Sequence, residues 1–371
     1  MLKTPVYVID ESVLRHNLEV FKSIKDQTGC SIILALKAYA TYATFPLMRK
    51  YLDGCTSSSL NEAILGYEEF GKSVHIYSPG YTKEVMEPIS KAASHMIFNS
   101  QNQLETFLPQ IKALKSDMKI GLRLNPEHSE VEKNIYNPCA PCSRFGVTSS
   151  ELDKSKLEGI DGFLIHALCG HGADALERLM QAVEDKFSDI LHKVKWVDFG
   201  GGHMVTKPNY DRDLLIKIIN KFQKKYNVQV ILEPGEAMVV KAGVLETTVV
   251  DIVKNDMEIA IIDSSATAHM PDVLEMPYRP DITDAAKPNE KKYTYRIGST
   301  SCLSGDVIGD YSFDEPLKIG DRVIFEDMAQ YTMVKNTTFN GIDLPNIAVK
   351  RESGEIELVK EFGYEDFKRR L

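Results

Sequence analysis

Lys37 closes the run Ser31-Ile32-Ile33-Leu34-Ala35-Leu36-Lys37. Five of the six residues before it are apolar, the pattern of a strand buried on both faces. A charge at the end of such a strand has two readings. It is a lysine whose ammonium snorkels to solvent, or an amine that desolvation keeps partly neutral and nucleophilic, fit for Schiff-base chemistry. Three further apolar runs end on unusual groups. His166 lies in Phe163-Leu164-Ile165-His166-Ala167-Leu168-Cys169, Gly200-Gly201-Gly202 follows Trp196–Phe199, and Glu233-Pro234-Gly235 follows Val228–Leu232. A glycine run lets backbone N–H groups approach an anion with no Cβ in the way. A carboxylate can pair with a protonated pyridine nitrogen and keep the ring electron-poor. An imidazole can lie flat against an aromatic ring. Singly, these groups read as a flexible turn, a surface ion pair and a hydrogen-bonded core histidine. Together with the amine they answer four needs of pyridoxal phosphate (PLP).

Positioning four such groups at one place requires a particular fold. Short apolar runs alternate with amphipathic ones along the first two thirds of the chain. The expected strands are Ile32–Leu36, Gly54–Ser57, Val74–Ser78, Met96–Phe98, Lys119–Asn125, Gly162–Leu168, Trp196–Phe199 and Val228–Leu232. Helix-like segments such as Leu60–Phe70, Ser100–Leu114, Asp174–Leu191 and Tyr210–Tyr226 separate them. About eight βα units in roughly 230 residues predict an α/β (β/α)₈, TIM-like barrel, whose active site lies at the C-terminal ends of the strands. Lys37, His166, the glycines and Glu233 all fall there. Glu127–Leu157, with Pro138 and Pro141, is irregular and reads as a long loop for substrate or dimer contacts. Beyond Gly243 the helical rhythm stops and β-branched runs take over, including Val244–Val253, Tyr293–Ile297 and Tyr331–Lys335. This predicts a second, mainly antiparallel β-domain. The expected boundaries are 11–240 for the barrel and 241–371, joined by strand 1–10, for the β-domain.

Composition narrows the class. The 371 residues are 43% hydrophobic, enough for a sizeable core, and the formal net charge of −9 argues against nucleic acid as a partner. No apolar run is long enough to span a bilayer, and Met1–Asp10 has no basic and apolar leader pattern. Six cysteines, at 30, 55, 139, 142, 169 and 302, are too sparse for a disulfide framework. A cytoplasmic, reduced protein is expected, with no membrane association. Cys139-Ala140-Pro141-Cys142 has no second pair to complete a zinc site, and His166 and His171 lack a third ligand at sensible spacing. No metal is expected.

The segments ALKAYA (35–40), HALC (166–169), DFGGG (198–202), EPG (233–235), GSTSCLSGD (298–306) and QYTMVKN (330–336) resemble the fold-type III PLP enzymes. That group includes alanine racemase and the ornithine, arginine and diaminopimelate decarboxylases. YNPC with SRFG (136–146), LEPGEA (232–237), HMPDVLEMPY (269–278), CLSGDVIGDYSF (302–313) and VKNTTFNGIDLPN (334–346) resemble its carboxynorspermidine/carboxyspermidine decarboxylase branch. The resemblance implies a PLP-dependent decarboxylase of polyamine biosynthesis. It makes Lys37 the cofactor's anchor and assigns cofactor contacts to His166, Gly200, Gly201, Gly202, Glu233, Gly235 and Tyr331. It gives Cys302 the role of proton donor. It also implies a head-to-tail homodimer with shared active sites, in which the Cys302 loop serves the partner's site. The implied substrate is a small polycationic amino acid, whose tail needs carboxylates because an unpaired buried ammonium is costly. Glu236 and Asp272 are the first candidates, with Glu275 and Asp306 behind them. A diaminopimelate decarboxylase would instead need a cation for a second carboxylate, and Arg279 keeps that alternative open.

Overall fold

The computed structural model describes residues 2–371. The chain divides into two compact units, one spanning His16–Met238, the other the chain up to Arg15 together with Val239–Leu371.

After β1 (Val6–Asp10), the His16–Met238 unit forms a closed barrel of eight parallel strands in chain order. These are β2 (Ser31–Ala35), β3 (Gly54–Ser57), β4 (Ser73–Tyr77), β5 (His95–Phe98), β6 (Lys119–Arg123), β7 (Gly162–Leu164), β8 (Trp196–Asp198) and β9 (Gln229–Leu232). β9 returns to β2 with Ser31 opposite Ile231 and Ile32 opposite Leu232. The helices cover the barrel because their apolar residues recur at helical spacing. In Ala173–Leu191 the buried side chains include Leu176, Leu179, Met180, Val183, Phe187 and Ile190. Polar side chains start helices where the sequence changes period: Ser100 accepts the Gln103 N–H and Asp211 the Leu214 N–H.

The barrel interior is packed around Trp196 with Ile33, Ile97, Leu164 and Ile231. Two glycines make room for the indole. A Cβ on Gly121 would lie 2.6 Å from the Trp196 ring, and one on Gly162 would overlap it. Beside the indole, His75 and His95 stack with ring centroids 3.8 Å apart. The segment between β6 and β7 is a loop with only short 3-10 turns, Asn134–Tyr136 and Lys154–Lys156. Asn99 fastens it by donating to the Arg144 carbonyl and accepting the Gly146 N–H, both at 2.8 Å.

The other unit is built on β10 (Gly243–Asn255), β11 (Met257–Ile262), β12 (Tyr293–Gly298), β13 (Val307–Phe313), β14 (Arg322–Phe325), β15 (Asn346–Lys350) and β16 (Ile356–Lys360). The sheet order is β13-β12-β11-β10-β1-β15-β16, and β14 also pairs with β10. Its pairings are antiparallel except β1 with β15 and β11 with β12. The core gathers Tyr7, Leu245, Ile262, Ile297, Tyr311 and Phe325. One expected strand is absent. Tyr331–Lys335 turns instead, with Tyr331 at φ 54° and a 3-10 turn over Met333–Lys335. Its β-branched composition was outweighed by this left-handed residue, which no strand admits.

Candidate active site

Lys37 sits in the turn directly after β2, held because Ala35 donates its N–H to the Pro234 carbonyl and Leu36 its N–H to the Thr56 carbonyl, each at 3.0 Å. The side chain is accessible to solvent. It is nevertheless surrounded by strand ends, and a side chain in a concave setting touches water while most of its neighbourhood is protein. Burial is the largest influence and lowers its proton affinity below that of an ordinary lysine; Glu233 pulls the other way, and Arg123 adds to the lowering. Gly235 lets the β9 turn close on this residue's flank, since a Cβ there would stand 2.5 Å from the Ala38 Cβ.

His166 lies after β7. Its Nδ1 accepts the Gly201 N–H at 2.9 Å, so the neutral ring carries its proton on Nε2. Burial, followed by Lys37, Arg123 and His203, holds it well below the usual histidine range and keeps it neutral. Arg123, at the end of β6, donates to the His166 carbonyl at 2.9 Å. The guanidinium also stands over the rings of Tyr77 (4.8 Å) and Phe145 (4.6 Å). It is a fixed cation in the barrel that the sequence reading missed.

Gly200 and Gly202 adopt φ of 68° and 89°, and their turn packs tightly between its neighbours. A Cβ on Gly201 would stand 2.5 Å from the Glu233 carbonyl oxygen, and one on Gly202 would overlap the Leu168 carbonyl. The expectation that all three glycines offer N–H groups to a phosphate needs correction. The Gly200 N–H is given to Asp198 Oδ1 at 2.7 Å and the Gly201 N–H to His166. Their glycine character serves close packing and the fixing of His166.

Glu233 follows β9 and is buried, and its Oε1 has no hydrogen-bond partner. Nearby stand Asp198 at the end of β8 and His75 in β4, also buried, with Asp198 Oδ2 and His75 Nδ1 equally unpartnered. The ligand-type atoms of the three lie within 4.8 Å of one another, the one grouping of this kind among the described residues. Burial, then the Glu233 carboxylate, raises the Asp198 carboxyl well above its ordinary range. Spacing gave no sign of this trio, whose members come from β4, the end of β8 and the residue after β9.

All but one of the remaining candidates belong to the β-domain. Cys302 is exposed, with its N–H given to Asn340 Oδ1 at 2.7 Å. Asp306 is only 4% exposed. It accepts from Ser265 Oγ (2.6 Å), Ser299 Oγ (3.0 Å), the Thr267 N–H (3.1 Å) and Ser301 Oγ. A carboxylate has about four acceptor positions. Those of Asp306 are spent tying the loop that carries Cys302 to the start of the helix Ala266–His269, so the expected substrate contact is corrected to a loop anchor. Asp272 and Glu275, on the short helix Asp272–Glu275, both bind the Lys335 ammonium, at 2.5 and 2.6 Å. Burial opposes the charge on Lys335, and the two acids outweigh it, raising its proton affinity. Glu236 opens the short helix Glu236–Val239 in the barrel unit.

The barrel residues fit PLP: an amine with reduced proton affinity, a neutral imidazole of fixed tautomer, and a buried carboxylate oxygen lacking a donor. The comparisons agree. A family profile described as pyridoxal-dependent decarboxylase, C-terminal sheet domain, matches residues 6–329. A carboxyaminopropylagmatine decarboxylase of Synechocystis sp. is 44% identical over 100% of this chain and 96% of its own length. A carboxynorspermidine/carboxyspermidine decarboxylase of Campylobacter jejuni is 41% identical over 99% of this chain and 98% of its own. The crystal structure of carboxynorspermidine decarboxylase complexed with norspermidine, from Campylobacter jejuni, superposes with a TM-score of 0.93 at 38% identity, covering 100% of both chains. With a family match over most of the chain, and relatives at this identity across its full length, the chain belongs to the pyridoxal-dependent decarboxylases.

Proposed function

We propose that this enzyme removes the α-carboxylate of carboxynorspermidine or carboxyspermidine, releasing norspermidine or spermidine in polyamine biosynthesis. The observation that carries this reading is the full-length likeness, in sequence and fold, to the norspermidine-bound Campylobacter jejuni structure. A second reading, favoured by the Synechocystis relative, is carboxyaminopropylagmatine, whose tail ends in a guanidinium. The diaminopimelate alternative needs a free cation, and Arg279 is engaged: it donates to the Asp310 carbonyl and stands 4.4 Å over the Tyr311 ring.

When bound, PLP supplies an electron sink for the pair left as CO₂ departs. Lys37 holds the aldehyde through its amine, which reduced proton affinity makes available. Glu233 holds a proton on the ring nitrogen. His166 presents a neutral ring that cannot repel that charge. Gly202, Gly235 and the Tyr331 hydroxyl serve the phosphate. Cys302 delivers its Sγ proton to the substrate Cα, reaching the site of a second copy in a head-to-tail homodimer. Glu236, Asp272 and Glu275 receive the cationic tail. The last two already grip a primary ammonium, that of Lys335, which must yield to the substrate.

The test is CO₂ release with carboxynorspermidine, carboxyspermidine, carboxyaminopropylagmatine and diaminopimelate as substrates. Carboxynorspermidine and carboxyspermidine differ by one methylene, a difference worth roughly 1–3 kcal/mol in a pocket. The expected result is the highest kcat/KM for one of them. Preference for the guanidino substrate selects the second reading, and preference for diaminopimelate refutes both.

A further inference from the structure

We propose that Asp198 is a positioning residue that holds a proton on Oδ2 and shares it with Glu233 Oε1, leaving the single negative charge of the pair on Glu233 for the ring nitrogen. This rests on the reading that Glu233 serves that nitrogen. Asp198 Oδ1 and Oδ2 have different surroundings. Oδ1 accepts the Gly200 N–H at 2.7 Å, which orients the carboxyl group and ties it to the turn after β8. Oδ2 is buried and meets no donor, and the same is true of Glu233 Oε1. Two acceptor oxygens set side by side in a dry site repel unless a proton lies between them. The groups facing Asp198 are Glu233 from the end of β9 and His75 from β4. His75 supplies no compensating charge, because burial, then His95, holds it well below the usual histidine range. The direction of the Asp198 shift, set first by burial and then by Glu233, agrees with a retained proton. One neutral carboxyl group thus fastens the glycine turn with one oxygen and the ring-facing acid with the other.

This arrangement makes an unusual demand of Asp198→Asn. An amide keeps an oxygen for the Gly200 N–H and offers an N–H to Glu233. The holoenzyme of the Asp198→Asn variant therefore binds PLP within about threefold of the parent affinity. Asp198→Ala, lacking both, weakens PLP roughly 10–100-fold, the worth of a hydrogen bond to a charged group. Infrared difference spectra of the holoenzymes at neutral pH give a readout independent of activity. The band of a protonated carboxylic acid is present in the parent and missing in Asp198→Asn. Loss of carboxylate bands alone would overturn the proposal, as would an asparagine variant as weak in PLP as the alanine variant, or an alanine variant as strong as the parent. Thermal unfolding of each apo-protein separates lost affinity from lost folding. Glu233→Ala tests the underlying reading separately. If it leaves PLP affinity and the cofactor's visible spectrum unchanged, that reading fails, while the infrared result on Asp198 stands.

Discussion

The roles proposed for Lys37, His166 and Glu233 each answer one chemical need, and each residue stands out in the sequence because it is a polar group set in or at the end of an apolar run. Arg123, Asp198 and His75 were not legible. Arg123 and Asp198 close β6 and β8 but are followed in the sequence by Leu124 and Phe199, and His75 lies inside β4, so none of them ends an apolar run or gives a signal until the closed barrel shows which face it points to. Asp306 was legible as an acid but not as a satisfied one, since its donors come from two segments distant in sequence: Ser265 and Thr267 at the start of the helix Ala266–His269, and Ser299 and Ser301 in the loop after β12. Cys302 carries the sharpest residue-scale prediction. Its exposure excludes a role as core filler. Cys302→Ala lowers kcat by roughly 10²–10⁴-fold, the usual contribution of a positioned proton donor, with PLP binding intact. Mixing Cys302→Ala with Lys37→Ala chains restores part of the activity if sites are shared between copies; no return shows they are not.

At the scale of elements, strand–helix alternation was readable from period alone, and the barrel strands lie where the apolar runs lie. The exceptions have local causes. Lys119–Asn125 and Gly162–Leu168 run past β6, which stops at Arg123, and β7, which stops at Leu164: Leu124 and Ile165 each give one more N–H to the neighbouring strand, at the Leu164 and Asp198 carbonyls, and Asn125 then turns to the Val147 carbonyl. The packing of β6, β7 and β8 depends on small residues beneath one large one. Gly162→Ala places a methyl group inside the Trp196 ring. It destabilises the protein by about 1–3 kcal/mol through overpacking, measurable by urea unfolding. A change below 0.5 kcal/mol would show that the indole moves freely.

The whole molecule buries histidines that the unfolded chain would expose. Burial holds His95, His203 and His269 down at about 4. An unfolded histidine titrates near 6.5. Between those values the unfolded chain binds protons that the folded chain refuses. The stabilisation is therefore fully present above about pH 6.5 and is lost as pH falls toward 4. Each histidine accounts for roughly 2 kcal/mol of loss by pH 5. Asp198, shifted upward, acts in the opposite sense and partly offsets this. Stability by urea unfolding should fall from pH 7 to pH 5, and a flat profile would contradict the burial described here. No helix among the described residues is long and apolar enough to cross a membrane.

Lys37 is the residue proposed to carry the cofactor, and every other proposed role depends on it. Borohydride reduction of the PLP-loaded protein, followed by peptide mass mapping, tests it directly. The predicted result is a single pyridoxyl-modified lysine at position 37, and no modified peptide from Lys37→Ala treated alike. A modified lysine elsewhere in the parent protein, with Lys37 unmodified, would contradict it.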